Sequence, residues 1–276
     1  MAEDNTSSDS CCTAFLREFR LNQLGYTDVV GWNDDFTRSW LIKDRRAFLK
    51  VRIALLVLIF ALFVWSSLDM GVDGDYKYWW IYVTHWSLLV ELLYFASAVY
   101  TQWRAEEKGE PSGRWWVYLS WILHDIAYPA SFFVTVNYWL LVYSPPLRAI
   151  STFTHGVNFV VILADTMLSS QAYRLSHGVY FLLYAIVYII WSLIFHAAKA
   201  TNQDGNRYIY SSLDYKEDAG GAVVTIAIAL IGVLVIILPL LWMVTYIRTQ
   251  RSNKSKLAND SMTNMPATTV DNLMSI

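Results

Sequence analysis

Six apolar stretches separated by short polar connections constrain this chain more than any other feature. They lie at about residues 51–68, 79–100, 115–143, 153–169, 179–197 and 222–247. A helix needs about 20 residues, at about 1.5 Å each, to cross the hydrocarbon layer of a bilayer. The sequence therefore predicts an all-α fold, a six-helix transmembrane bundle over residues 51–247. An N-terminal arm, residues 1–50, precedes it, and a disordered tail, residues 248–276, follows it.

Composition agrees with a chain embedded in lipid. Of its residues, 55% are hydrophobic and 16% are charged, whereas soluble domains carry about 25% charged residues. Many of the 13 tryptophans lie at the edges of the apolar stretches, as in an interfacial aromatic belt. A net charge of -2 offers no basic surface for a nucleic-acid partner. The lipid bilayer is the partner that the composition predicts.

The distribution of Lys and Arg predicts which ends of the stretches face the cytosol. With the N-terminus inside, fourteen Lys and Arg flank the inner ends and five lie in the outer connections. Positive charge concentrates on the cytosolic side of membrane proteins. Both termini are therefore expected in the cytosol. The Asn-x-Ser/Thr sequons begin at Asn5, Asn253 and Asn259, all in the two tails, which agrees with this orientation.

The N-terminal arm contains both cysteines of the chain, Cys11 and Cys12, just before the short amphipathic stretch that starts at Phe15. No connection between apolar stretches holds a cysteine, so no disulfide framework is expected. Adjacent cysteines close to a membrane are candidates for S-palmitoylation. The alternative is two free cytosolic thiols.

Several polar side chains interrupt the apolar stretches. Topology predicts that one group shares a shallow layer near the outer surface: Thr84, His85, Asn137, His155 and His196. Glu91 and Asp165 lie deeper and could form a relay between carboxyl groups, whereas His124 and Asp125 lie in the inner half. Ionisable groups at membrane depth normally face other helices or a cavity.

The shallow layer contains the groups that a hydrolase needs. A hydroxyl beside a neutral imidazole is activated as a nucleophile because the imidazole takes its proton. Thr84 and His155 are the candidate nucleophile and base, and Asn137 or Asn158 could orient the ring or donate to an oxyanion. The alternative is that these residues are interhelical hydrogen-bond contacts without chemistry. No two of the histidines at 85, 155 and 196 have local ligand spacing, so neither a metal nor a cofactor is predicted.

A family resemblance extends this interpretation. Thr84-His85-Trp86 after Tyr78-Trp79-Trp80, the cysteine-containing arm, and His155 at the start of the fourth stretch resemble the rolling stone family of multi-pass proteins. The segment from Asn137 to Asn158 is also similar to the broader androgen-induced protein group. That group includes intramembrane threonine hydrolases of fatty acid esters of hydroxy fatty acids.

The resemblance implies two functions of different classes. A rolling stone protein would act in myoblast fusion during muscle development and would contact a membrane or cytosolic protein. Its expected location is the plasma membrane, and the alternative location is the endoplasmic reticulum. A hydrolase of the broader group would cleave a lipid ester inside the bilayer. It would have six spans and cytosolic termini, with the catalytic Thr and His at Thr84 and His155.

Overall fold

The chain folds into helices throughout the part that the structure describes. The structure is a computed structural model and describes residues 11–19, 36–72, 74–108 and 115–263. Outside the helices, the described residues hold one isolated antiparallel bridge, between Ser39 and Ser169. The predicted all-α class is therefore confirmed.

Eight helices are numbered here in chain order. A short α1 (Cys11–Arg17) precedes the long α2 (Arg45–Val72), the single turn α3 (Tyr76–Trp79) and the long α4 (Val83–Lys108). Next, α5 (Trp115–Asn137) continues into a π-helical turn, Tyr138–Val142. Helix α6 is continuous over Ala149–Thr152, a π-helical turn Phe153–Val157, and Asn158–Leu168. A 3-10 turn, Leu175–His177, leads into α7 (Gly178–Ala197), and a 3-10 turn at Ser211–Leu213 precedes α8. Helix α8 comprises Ala219–Gly232, a π-helical turn Val233–Ile237, and Leu238–Thr263.

Among the described residues, four helices are long and apolar enough to cross a membrane: Arg45–Val72, Val83–Ala105, Leu175–Ala197 and Ala219–Lys254. Large apolar side chains remain exposed along them, for example Val57 on α2, Val187 on α7 and Ile228 on α8. Contiguous apolar surface of this kind is typical of helices that face lipid. The chain is therefore a membrane protein. The other two predicted stretches form α5 and α6.

Two predicted boundaries differ from the structure. Helix α2 begins at Arg45, within the predicted arm, because the carboxylate of Asp44 accepts the backbone N–H of Arg46 (3.0 Å) and caps the first turn. Helix α8 ends at Thr263 and not near residue 248. No Gly or Pro occurs between Leu240 and Thr263, so nothing local breaks the helix there. Residues 1–10, 20–35 and 264–276 of the predicted arm and tail lie outside the described residues.

The π-helical turn in α8 has a local cause. Pro239 lies two residues after its last residue, Ile237, and has no N–H to donate to the carbonyl of Val235. A proline ring also clashes with the carbonyl four residues earlier in an α-helix. The wider π turn accommodates both effects and lets the helix continue.

The bundle has two distinct ends, which are named inner and outer here after the orientation predicted from the sequence. The inner end is formed by the start of α2, the end of α6 and the 3-10 turn before α7. There Ser39 donates its hydroxyl to the carbonyl of Leu168 (2.6 Å), and the Trp40 ring donates to that of Met167 (2.7 Å). The outer end is formed by α3, the α5–α6 connection and residues 198–218, where a small cluster packs Ile81, Phe195 and Ile209 together. One large apolar core fills the bundle between the two ends.

Candidate functional site

Two π-helical turns pack together at the outer end, and His155, in the second turn, contacts the first. The His155 ring stacks on the ring of Tyr138, with 3.6 Å between centroids and 3° between planes. The Trp139 ring N–H donates to the backbone carbonyl of His155 (3.0 Å). Nδ1 of His155 is buried and has no hydrogen-bond partner. The turns thus hold an imidazole with one unpaired nitrogen just below the outer end.

His85 lies at the start of α4 and is the second imidazole of this region. Its Nδ1 is 2.5 Å from the carbonyl oxygen of Trp79, and its ring stacks on the Trp79 indole at 4.3 Å. His85 is also close enough to His155 for its charge to act on that ring. The structure therefore brings together two histidines of the predicted shallow layer.

Thr84 is buried and turned toward a different neighbour. Its hydroxyl hydrogen-bonds the phenol of Tyr210, which also bonds that of Tyr188. Burial is the main cause that raises the pKa of Tyr210 to about 12, so this phenol is protonated at neutral pH. No hydrogen bond joins the Thr84 hydroxyl to the His155 ring in the structure. Consecutive residues of a helix point about 100° apart, so Thr84 and His85 face different neighbours, Tyr210 and Trp79.

The two asparagines named as supporting groups have local partners. The Asn137 amide donates to the carbonyl of Phe133 (2.8 Å) within its own helix. The side-chain oxygen of the fully buried Asn158 accepts the N–H of Phe159 (2.8 Å), while its Nδ2 has no partner. Asn158 therefore retains a free donor, whereas the amide of Asn137 is used to pair with its own helix.

An apolar groove opens beside this region, between α4 and α7. It has a volume of about 260 Å³, and its walls are Trp80, Trp86, Leu89, Val90, Tyr184 and Trp191. The Tyr184 hydroxyl pairs with that of Ser87 (3.0 Å). The groove therefore combines aromatic walls with a hydroxyl pair close to Thr84.

The deeper carboxylates have partners that sequence reasoning did not identify. Asp165 binds the fully buried Arg52 through two bonds, Nε to Oδ1 (2.9 Å) and Nη2 to Oδ2 (3.3 Å), and also accepts the Tyr94 hydroxyl. Glu91 instead accepts the Ser131 hydroxyl (2.6 Å), and its other oxygen is unpaired. Glu91 and Asp165 thus bond to different helices, Glu91 to α5 and Asp165 to α2 and α4. The pattern that could have revealed the ion pair is an arginine at the second position of an apolar stretch, Arg52 in residues 51–68.

The inner half also contains an arrangement that looks like a catalytic triad. The His124 ring lies 2.9 Å from the Thr166 hydroxyl and 3.5 Å from Asp125, which in turn binds His177 (2.9 Å). However, the Thr166 hydroxyl donates its one proton to the carbonyl of Ile162 (2.8 Å). Its oxygen must therefore accept from the His124 N–H, so the imidazole cannot act as its base. All four side chains are buried, and this cluster is a packing network of the bundle interior.

The remaining histidine of the predicted layer lies apart from the other two. The ring of His196 packs edge-on against that of Tyr215 (5.5 Å), at the end of α7. Within the described residues, no group of three His, Cys, Asp or Glu side chains is placed to hold a metal ion.

Comparison with known proteins identifies the family. The family model described as "Protein rolling stone" matches residues 6–256. "Protein rolling stone" of Drosophila melanogaster is 26% identical over 228 residues, which cover 75% of this chain and 80% of that relative. No solved structure matches the chain. The match to the family model spans nearly the whole chain, bundle and flanks together, and the chain belongs to the rolling stone family.

Proposed function

We propose that this chain is a six-span membrane protein with both termini in the cytosol, and that it acts in cell–cell fusion of myoblasts at the plasma membrane. Family membership supports the first function implied by the sequence. Six helices of the bundle, α2 and α4 to α8, are the proposed spans. In this orientation the inner end, rich in Lys and Arg, faces the cytosol, as the positive-inside rule requires.

The observation that carries the proposal is the ordered outer end. The Tyr82 and Tyr210 rings pack at 5.8 Å, and the Tyr188 hydroxyl donates to the carbonyl of Ile81 (2.9 Å). The first contact joins residues 198–218 to the connection between α3 and α4, and the second joins that connection to α7. The outer connections thereby form a rigid surface, which binds a protein on an opposing cell at lower entropic cost than a mobile loop would.

Orientation is tested with an engineered sequon. Tyr208→Thr turns Asn206, in the outer connection, into the start of an Asn-x-Thr sequon. We expect glycosylation at Asn206 in cultured cells, seen as a mass shift that a glycosidase removes. The natural sequons at Asn5, Asn253 and Asn259 act as internal controls and should remain unmodified. An unmodified Asn206 would overturn the orientation.

Function is tested by depleting the protein from cultured myoblasts and re-expressing variants. Depletion should lower the fraction of nuclei in multinucleate cells, and the wild type should restore it. His155→Phe keeps a ring stacked on Tyr138 but removes the imidazole, so it should restore fusion equally well if the protein acts as a contact surface. Fusion that is unaffected by depletion would contradict the proposal.

A second candidate function is the intramembrane threonine hydrolase of lipid esters. The unpaired Nδ1 of His155 favours it, since a base needs a free nitrogen. The groove of about 260 Å³ between α4 and α7 could accept an acyl chain. The hydrogen bond from Thr84 to Tyr210 opposes it, because that hydroxyl would have to turn away from Tyr210 before reacting.

A fluorophosphonate probe, which labels activated hydroxyl nucleophiles, separates the two functions. The hydrolase requires labelling of the wild type that is lost in both Thr84→Ala and His155→Phe. Labelling absent from the wild type, or unchanged in both variants, excludes this chemistry. Thr135→Ala is the matched control, since Thr135 donates its hydroxyl to the carbonyl of Ser131 within α5 (2.8 Å).

A further inference from the structure

The short helix α1 is anchored to the inner end of the bundle. The Phe15 ring packs edge-on against Trp242 of α8, with 5.4 Å between centroids. Glu18, just after α1, accepts the backbone N–H of Leu175 (2.9 Å) and a hydrogen bond from the Trp242 side chain. These contacts join α1 and the turn after it to α8 and to the 3-10 turn that precedes α7, although more than 150 residues separate them in sequence.

The depth of this anchor coincides with the edge of the apolar layer. Trp242 lies five residues before Ile247, where the apolar stretch of α8 ends. At about 1.5 Å per residue, Trp242 is about 8 Å inside that edge. A helix that packs on Trp242 therefore lies at the boundary between lipid and water.

One side of α1 is apolar and uncovered. Leu16 is 68% exposed and Phe19 is 65% exposed, although Phe15 beside them packs on the bundle. Large apolar side chains left uncovered at the edge of a membrane bundle are expected to contact lipid. The polar side chains Thr13 and Arg17 lie four residues apart and share the neighbouring side of the helix.

The two cysteines differ in their relation to this apolar side. Both are exposed. Residues four apart are neighbours on a helix surface, so Cys12 lies next to Leu16, whereas Cys11 lies next to the bundle-packed Phe15. Cys12 is therefore the thiol placed on the side of α1 that faces lipid.

We propose that Cys12 is the principal S-acylation site of this protein and that a long-chain acyl group there completes the attachment of α1 to the membrane. The Cys12 thiolate attacks the thioester carbonyl of a long-chain acyl-CoA, a new thioester forms on Cys12, and CoA leaves as the thiol with the cysteine proton. The reaction needs a membrane acyltransferase on the cytosolic side. The inference thus rests on the proposed orientation, and one acyl chain together with exposed apolar residues supplies the two signals that stable anchoring needs.

The test is thioester exchange on the full chain expressed in cultured cells, in which hydroxylamine releases the acyl group and a mass tag replaces it. The wild type should gain a hydroxylamine-dependent tag. In Cys12→Ser the tag should fall to the level of the hydroxylamine-free control, and in Cys11→Ser most of it should remain. Leu16→Ser should also reduce the tag, whereas Thr13→Ser, which keeps a polar hydroxyl on the neighbouring side of α1, should leave it unchanged.

Each other outcome counts against the proposal. A wild type without a tag overturns it, as does a tag that survives Cys12→Ser and disappears in Cys11→Ser. The Tyr208→Thr sequon is read in the same cells. Glycosylation at Asn206 without a tag means that the acylation proposal fails while the orientation stands, and an unmodified Asn206 means that the orientation itself fails.

Discussion

A charged side chain can be buried inside the bundle only where its hydrogen-bond and charge partners are present. Arg52 is fully buried, yet its guanidinium donates to Asp165 and to the carbonyl of Phe36 (2.8 Å) and lies 4.5 Å from the Phe48 ring centroid. Removing one member of a buried ion pair leaves a charge without compensation. The fold therefore depends on Arg52 having its partners. Arg52 is also one of the basic residues from which the orientation in the membrane is predicted.

The ion pair gives the first prediction. Asp165→Asn should destabilise the protein by about 3–5 kcal/mol, because the buried guanidinium loses its countercharge. The measurement is the Tm of the purified protein in detergent. Asp69→Asn is the matched control: Asp69 binds Arg148 at 2.9 Å, but Arg148 is 59% exposed. An exposed pair contributes about 0–1 kcal/mol, so equal shifts in Tm for the two variants would contradict this account.

Helix contacts depend on small residues at crossing points. Gly178 begins α7, and a Cβ atom built there would lie 2.5 Å from Cδ1 of Leu238 in α8. Small residues allow membrane helices to approach closely. The start of α7 can therefore approach Leu238 of α8 this closely because residue 178 is a glycine and has no side chain.

Gly178→Ala should lower stability by about 1–3 kcal/mol, the usual cost of overpacking. Adding Leu238→Ala should recover part of this loss, since it removes the atoms that clash. Gly232→Ala in α8 is the control, because nothing lies within 4 Å of a Cβ there. A Gly178→Ala protein with unchanged Tm would show that Leu238 moves aside without cost.

The docking of α1 should depend on pH. Burial is the largest cause acting on Glu18 and raises its pKa above 4.5, although the Leu175 N–H and the Arg174 charge oppose the shift. The docked state therefore binds protons more tightly than the undocked state. Docking is strongest below pH 4.5 and weakens as the pH rises through the raised pKa.

A fluorophore on Cys12 of unacylated Cys11→Ser protein reports this docking through its anisotropy. Anisotropy should fall as the pH increases from 4.5 toward neutrality. Glu18→Gln does not titrate, so its anisotropy should show no such change. A decrease of the same size in Glu18→Gln would assign the effect to another group.

At the scale of the whole molecule, distant parts of the chain meet at the end of α6. The guanidinium of Arg248 in α8 donates to the carbonyls of Ser169 and Gln171, and the N–H of Ser170 donates to the carbonyl of Arg38 (2.9 Å). The first and last parts of the bundle thereby close its inner end.

Truncation of α8 on either side of Arg248 should show whether this residue holds the inner end together. A chain ending after Ser252 keeps Arg248 and should have a Tm near that of the full chain. A chain ending after Ile247 loses two charge-assisted hydrogen bonds and leaves buried carbonyls unpaired, at a cost of about 1.5–3 kcal/mol each. Equal stability of the two truncated proteins, measured in detergent, would show that Arg248 does not hold the inner end.

Sequence alone determined where the helices lie, because apolar length and capping are local properties. The predicted stretches coincide with α2 and α4 to α8 to within a few residues at most ends, and resemblance in short motifs such as Thr84-His85-Trp86 identified the family. Sequence also predicts one depth for His85 and His155, since topology and helix rise give height without tertiary contacts.

Only the tertiary structure decided which polar groups meet. Arg52 and Asp165 pair across 113 residues, and Thr84 bonds Tyr210 while His155 stacks on Tyr138. Both outcomes depend on the rotation of each helix about its axis, which is set by packing against neighbours and leaves no periodic signal in the sequence. The position of a helix along the chain is decided by local interactions, whereas its rotation about its own axis is decided by packing in the assembled core.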